Sequence, residues 1–85
     1  MPQPGDLGAD GTVAAVGSMC AALLHRKSIP LDVSFIELGG DSLLLIALLT
    51  EIEERFDVYL GAEDILDDLT ASGIASAISR VRQAG

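Results

Sequence analysis

Apolar and polar residues alternate with a helical period from Val13 onward. Val13, Val16, Cys20 and Leu23 are spaced by 3, 4 and 3 residues, which puts them on one face, and Met19 and Leu24 widen it. Thr12 stands where an N-cap belongs, and Arg26 and Lys27 fall where positive charge complements the C-terminal end of a helix dipole. The pattern predicts a first helix over residues 13–26. It breaks in "KSIPLDVSFIELGGD", residues 27–41, where Pro30 pushes Ile29 out of helical conformation and two glycines close the segment. So long a connection in a small domain either serves a function or is pinned by its own side chains. The expected pins are Ile29, Leu31, Val33, Phe35 and Leu38, with Phe35 as the main anchor because it has the most area to bury.

A second helix is predicted over residues 42–56. At about 3.6 residues per turn, Leu45, Leu48, Leu49, Ile52 and Phe56 form a core stripe. Leu43, Ile46 and Ala47 point away from that stripe, and Leu44 lies at its margin. An apolar cluster turned outward beside a serine suggests a docking surface. Residues 57–61 read as a loop, and residues 62–67 as a short helix docking through Ile65 and Leu66. Thr70 can cap a last helix to about residue 82, with Ile74, Ile78 and Val81 inward. "MPQPGDLGAD", residues 1–10, reads as a disordered leader, which leaves residues 11–85 as one domain. The expected fold is all-α, a four-helix bundle of three main helices and one short one, with a long first loop.

Composition narrows the function classes. The chain has 85 residues, 49% of them hydrophobic and only 4% aromatic, so its core must be aliphatic. Thirteen acidic residues oppose five basic ones, a net charge of -8. Such a surface repels nucleic acid and anionic membranes, keeps the chain soluble and monomeric, and suits a protein partner with a basic rim. The longest apolar run, residues 43–49, is too short to span a bilayer, and the N-terminus lacks the features of a signal peptide. One cysteine and one histidine can build neither a disulfide framework nor a zinc site, which points to a reducing, cytoplasmic setting. Cys20, on the inner face of the first helix, reads as a small buried hydrophobe rather than a thioester site. Glu63, Asp64, Asp67 and Asp68 lack the alternating ligands and central glycine of a calcium loop, so they read as a solvated face and no metal is expected.

Ser42 carries the candidate chemistry. Gly40 to Leu43 spell G-D-S-L, the block of one family of serine esterases. A hydrolytic serine needs a base held by a third group. The only histidine, His25, lies upstream, and no strand precedes the glycines, so no triad can be assembled. A phosphate-binding loop fails too, for want of Gly-Lys-Ser/Thr. Ser42 then reads as a hydroxyl to which something is attached. "FIELGGDSLLLIALLTEIEERFDV" closely resembles the modification site of the carrier proteins of nonribosomal peptide, polyketide and fatty-acid synthesis, which bear phosphopantetheine. The resemblance rests on Phe35-x-x-Leu38-Gly39-Gly40-Asp41-Ser42-Leu43 and a helix ending Glu53-Glu54-Arg55-Phe56, and it covers about residues 13–82. Leu38-Gly39-Gly40, Leu44 and Ala47 resemble peptidyl carriers; fatty-acid carriers tend to be acidic at the last two positions. Asp41 departs from the common peptidyl pattern, which has histidine there, and is usual in acyl carriers.

The resemblance implies that a phosphopantetheinyl transferase attaches 4'-phosphopantetheine from coenzyme A to Ser42, and that the arm holds an aminoacyl or acyl group as a thioester. An adenylation enzyme would load it, and condensation or tailoring enzymes would act on the cargo. The chain itself would need no catalytic residue. Gly39 and Gly40 would give a tight turn and open space, and a helix starting at Ser42 would favour a phosphate. Asp41 would either cap that helix or help present the serine to the transferase and its metal ion. Leu43, Ile46 and Ala47 are the expected partner contacts. The expectation is a free-standing, monomeric, cytoplasmic peptidyl carrier that binds neither nucleic acid nor membrane. The alternative is an acyl carrier of polyketide or fatty-acid synthesis.

Overall fold

In the computed structural model, which describes residues 4–84 (side chains over residues 11–83), the chain forms three α-helices: α1 (Pro4–Leu23), α2 (Ser42–Phe56) and α3 (Ala71–Ala84). A short 3-10 turn, Ala62–Asp64, precedes α3. The fold is all-α as expected, with α1 packed on both α2 and α3.

α1 departs from its predicted limits at both ends. Its backbone is helical from Pro4, so residues 4–10, read as part of a disordered leader, continue the helix. Residues 1–3 of that leader lie outside the described residues. Pro4 suits a first turn, because its φ is preset and its missing N–H has no intrahelical partner to lose. Glycines at 5, 8 and 11 weaken a helical reading of this stretch without forbidding it. Thr12 is therefore no cap; it sits inside the helix at 5% exposure. The other end closes at Leu23, short of Arg26, because His25 takes the left-handed conformation with φ 58°. The His25 N–H donates to the Ala22 carbonyl (3.2 Å) and the Arg26 N–H to the Ala21 carbonyl (2.8 Å), the paired bonds of a Schellman turn.

The core follows the predicted stripes. Val16, Met19 and Cys20 of α1, Leu48 and Ile52 of α2, and Ile74 and Ile78 of α3 are buried together. Leu45, Leu49, Phe56 and Val81 pack around them, partly buried. Thr70 caps α3 as expected: its Oγ1 accepts from the Gly73 N–H (2.9 Å) and donates to Asp68 Oδ1 (2.7 Å). The segment between α2 and α3 differs more. The Gly61 N–H donates to Asp64 Oδ2 (2.9 Å) and the Asp64 N–H to the Gly61 carbonyl (3.0 Å), which winds a 3-10 turn shorter than the predicted helix over 62–67. Ile65 is buried but Leu66 is 61% exposed, so only the first of the two docks. Residues 57–61 are a loop as read, yet Val58 and Leu60 enter the core with Tyr59 exposed between them.

Cys20 is a buried thiol, as expected. Burial, with the nearby charge of Glu51, pushes its pKa up to about 11 from 9.0. The folded state thus holds the thiol proton more tightly than the unfolded chain. The stability this contributes is complete below pH 9 and is lost as pH rises toward 11. Melting temperature should therefore fall more steeply across that window in the wild type than in Cys20→Ala. Equal slopes would count against a thiolate penalty.

Candidate functional site

The site is built on Phe35, buried to 1% exposure at the centre of the long loop. The chain winds over it. The N–H groups of Leu38, Gly39 and Gly40 donate to the carbonyls of Ser34 (3.0 Å), Ile36 (3.1 Å) and Phe35 (2.9 Å). The loop is then tied to its surroundings. The Phe35 N–H donates to the Leu69 carbonyl (2.9 Å), and the Leu31 carbonyl accepts from Ser72 at the start of α3 (3.1 Å). Arg26 Nη2 reaches from the end of α1 to the Leu38 carbonyl (3.2 Å).

The two glycines are required for different reasons. Gly39 has φ 112°, a conformation that side chains with a Cβ rarely adopt. Gly40 is a matter of space: a Cβ there would run into the Phe35 ring and come 2.8 Å from the Phe35 carbonyl oxygen. Asp41 follows in extended conformation and caps α2, its Oδ1 accepting from the Leu44 N–H (2.9 Å). Of the two roles left open for Asp41, the cap is the one its geometry fills.

Ser42 is the first residue of α2 and is exposed. Leu43 is 77% exposed and Ile46 59%, and Ala47 is exposed beside them, so the outward-facing strip predicted from helix rotation lies next to the serine. No charged residue occurs in α2 before Glu51. The sequence reading passed over Ile36, 46% exposed on the loop that carries the glycines, and Leu66, which it had placed inside. No period could have found them, because both lie in irregular backbone. The reading also missed the bond from Arg26, which joins residues 12 apart.

His25, the only histidine, ends α1 and is exposed there. Among the described residues, no group of three or more His, Cys, Asp or Glu is placed to hold a metal ion. No described helix is long and apolar enough to cross a membrane. The arrangement suits a serine that is acted upon. Its hydroxyl stands clear of the core, and a Cβ at Gly39 would meet nothing within 4 Å, so the approach is open. The helix ladder provides no partners for the N–H groups of Ser42 and Leu43, which with the dipole favour an anion at this end. A phosphate ester on Ser42 fits these donors.

Comparison with known proteins agrees with this geometry. The family described as "Phosphopantetheine attachment site" matches residues 14–78. Pyochelin synthetase of Pseudomonas aeruginosa is 43% identical over 61 residues, which are 72% of this chain and 4% of that protein. A dimodular nonribosomal peptide synthase of Bacillus subtilis is 34% identical over 64 residues, 75% of this chain and 3% of that one. The chain thus spans a few per cent of the length of these relatives. Among solved structures, a type-II acyl carrier protein of Streptomyces verticillus involved in bleomycin biosynthesis superposes with a TM-score of 0.80 at 24% identity, covering 85% of this chain and 87% of that one, a likeness of fold. With the family pattern running from α1 into α3 and the glycine turn delivering an exposed serine to a helix start, the chain belongs to the phosphopantetheine attachment site family, the carrier domains.

Proposed function

We propose that this carrier domain holds an aminoacyl group on a 4'-phosphopantetheine arm attached to Ser42, as a peptidyl carrier in nonribosomal peptide or related natural-product synthesis. The observation that carries the reading is the exposed Ser42 at the head of α2, presented by a turn that only glycines allow. The nonribosomal synthetases among the relatives support the peptidyl class over an acyl carrier of polyketide or fatty-acid synthesis. So does the uncharged first half of α2.

In this reading Ser42 is a substrate. In the active site of a phosphopantetheinyl transferase its Oγ attacks the phosphorus of coenzyme A that bears the pantetheine, the pyrophosphate bond breaks, adenosine 3',5'-bisphosphate leaves, and the serine proton goes to a base that the transferase must supply. The terminal thiol of the arm supplies the thioester bond. This chain's residues present and orient: Gly39 and Gly40 open the approach, Asp41 fixes the helix start, and the N–H groups of Ser42 and Leu43 favour the phosphate. Leu43, Ile46 and Ala47 form the surface that an adenylation enzyme, as loader, and condensation or tailoring enzymes would touch. A single buried thiol supports a reducing, cytoplasmic setting for this work.

Intact mass after incubation with a transferase and coenzyme A should rise by one phosphopantetheinyl unit, and Ser42→Ala should show no gain. No gain in the wild type, or a gain that survives Ser42→Ala, refutes the assignment. Loading of the modified protein by an amino-acid adenylation enzyme favours the peptidyl class; loading only by an acyl transferase favours the alternative.

Ile46→Glu tests the surface. At 59% exposure the change should alter stability by no more than about 0.5 kcal/mol, yet weaken modification or loading several-fold. A collapsed melting transition would mean that Ile46 is core.

A further inference from the structure

We propose that Arg26 is a positioning residue for the modification of Ser42: its guanidinium holds the Leu38 carbonyl, and with it the glycine turn that delivers the serine. The proposal rests on the reading of Ser42 as the attachment point. The Leu38–Gly39 peptide is the weak link of the loop. Gly39 has φ 112° and no side chain, so rotation of this peptide unit meets little steric resistance. Its N–H is held locally, by the Ile36 carbonyl (3.1 Å). Its carbonyl is held from outside the loop, by Arg26 Nη2 at 3.2 Å.

The holder is itself fixed. The left-handed His25 turns the chain off the α1 axis, and the Arg26 N–H is bonded to the Ala21 carbonyl (2.8 Å). Arg26 therefore extends from the rigid end of one helix to the turn that starts another. Among the described residues, the loop is otherwise held by the buried Phe35 side chain and by backbone bonds on the α3 side, from Phe35 to Leu69 and from Ser72 to Leu31. Arg26 adds a side-chain hydrogen bond to the turn from the end of α1.

A turn released on that side spends part of its time in arrangements a transferase cannot use. A partner that reorders the turn on binding then sees a weaker substrate, and the turnover of the bound complex is unchanged. For Arg26→Ala, the KM of the carrier in the transferase reaction should rise about three- to tenfold with kcat unchanged. Amide hydrogen exchange at Gly39 and Gly40 in the free protein should quicken by a similar factor, with the helices unaffected. Arg26→Lys, which keeps a donor on a long stem, should recover part of both.

A raised KM with unchanged exchange would mean that Arg26 contacts the transferase directly, and overturns the proposal. So would exchange quickened throughout the three helices, or no change in either quantity. If the wild-type chain gains no mass at all, the reading of Ser42 falls, and exchange at Gly39 and Gly40 alone decides whether Arg26 holds the turn.

Discussion

Phe35→Ala should lower the stability of the chain at 25 °C by about 3–5 kcal/mol and shift its urea midpoint sharply downward. Phe35 is the largest of the fully buried side chains, and it sits in a loop. Removing a buried phenylalanine ring costs about 3–5 kcal/mol through lost transfer energy and the cavity left behind. A domain of 85 residues has a total stability of about 4–13 kcal/mol, so one such change consumes much of it. The loss also reaches the loop's own order, because the backbone of residues 34–40 is wound over that ring. Urea unfolding followed by far-ultraviolet circular dichroism measures the effect. A midpoint close to that of the wild type would mean that the loop is held by its backbone ties alone.

Gly40→Val should act on modification more than on the fold. A Cβ at Gly40 meets the Phe35 ring and carbonyl, so either the ring leaves its seat or the turn moves. Overpacking of this kind costs about 1–3 kcal/mol. The turn is exposed on one side and the ring is locked in the core, so the turn is the part that yields. Asp41 and Ser42 follow directly, and the serine is displaced from the helix start. The rate of phosphopantetheinyl transfer, read as kcat/KM, should fall about tenfold or more at a temperature where helix content is still that of the wild type. Transfer at the wild-type rate by a folded Gly40→Val would show that the position of this turn does not matter.

These two substitutions mark where sequence reading succeeds. Phe35 was legible as an anchor because no other loop residue could bury comparable area, and Gly39 and Gly40 were legible as a turn before a helix. Other parts of the site were not. The requirement for glycine at 40 comes from the Phe35 ring above it, a contact invisible until the loop is folded. Leu66 reads as docking with a short helix over residues 62–67, but the 3-10 turn ends at Asp64 and leaves it at the surface.

The sequence by itself determined the helices α2 and α3, the faces they bury, the cap Thr70, and the strip of Leu43, Ile46 and Ala47 beside Ser42. Each of these depends on residues within about one turn of one another, and helix period and capping act over that range. The tertiary structure decided the rest. α1 runs back to Pro4 with Thr12 buried inside it, and Val58 and Leu60 enter the core. Ile36 stays at the surface, and Arg26 reaches the Leu38 carbonyl. In irregular backbone no period links position to burial. There a side chain's place depends on which distant element packs over it, and that is settled only when the whole bundle closes.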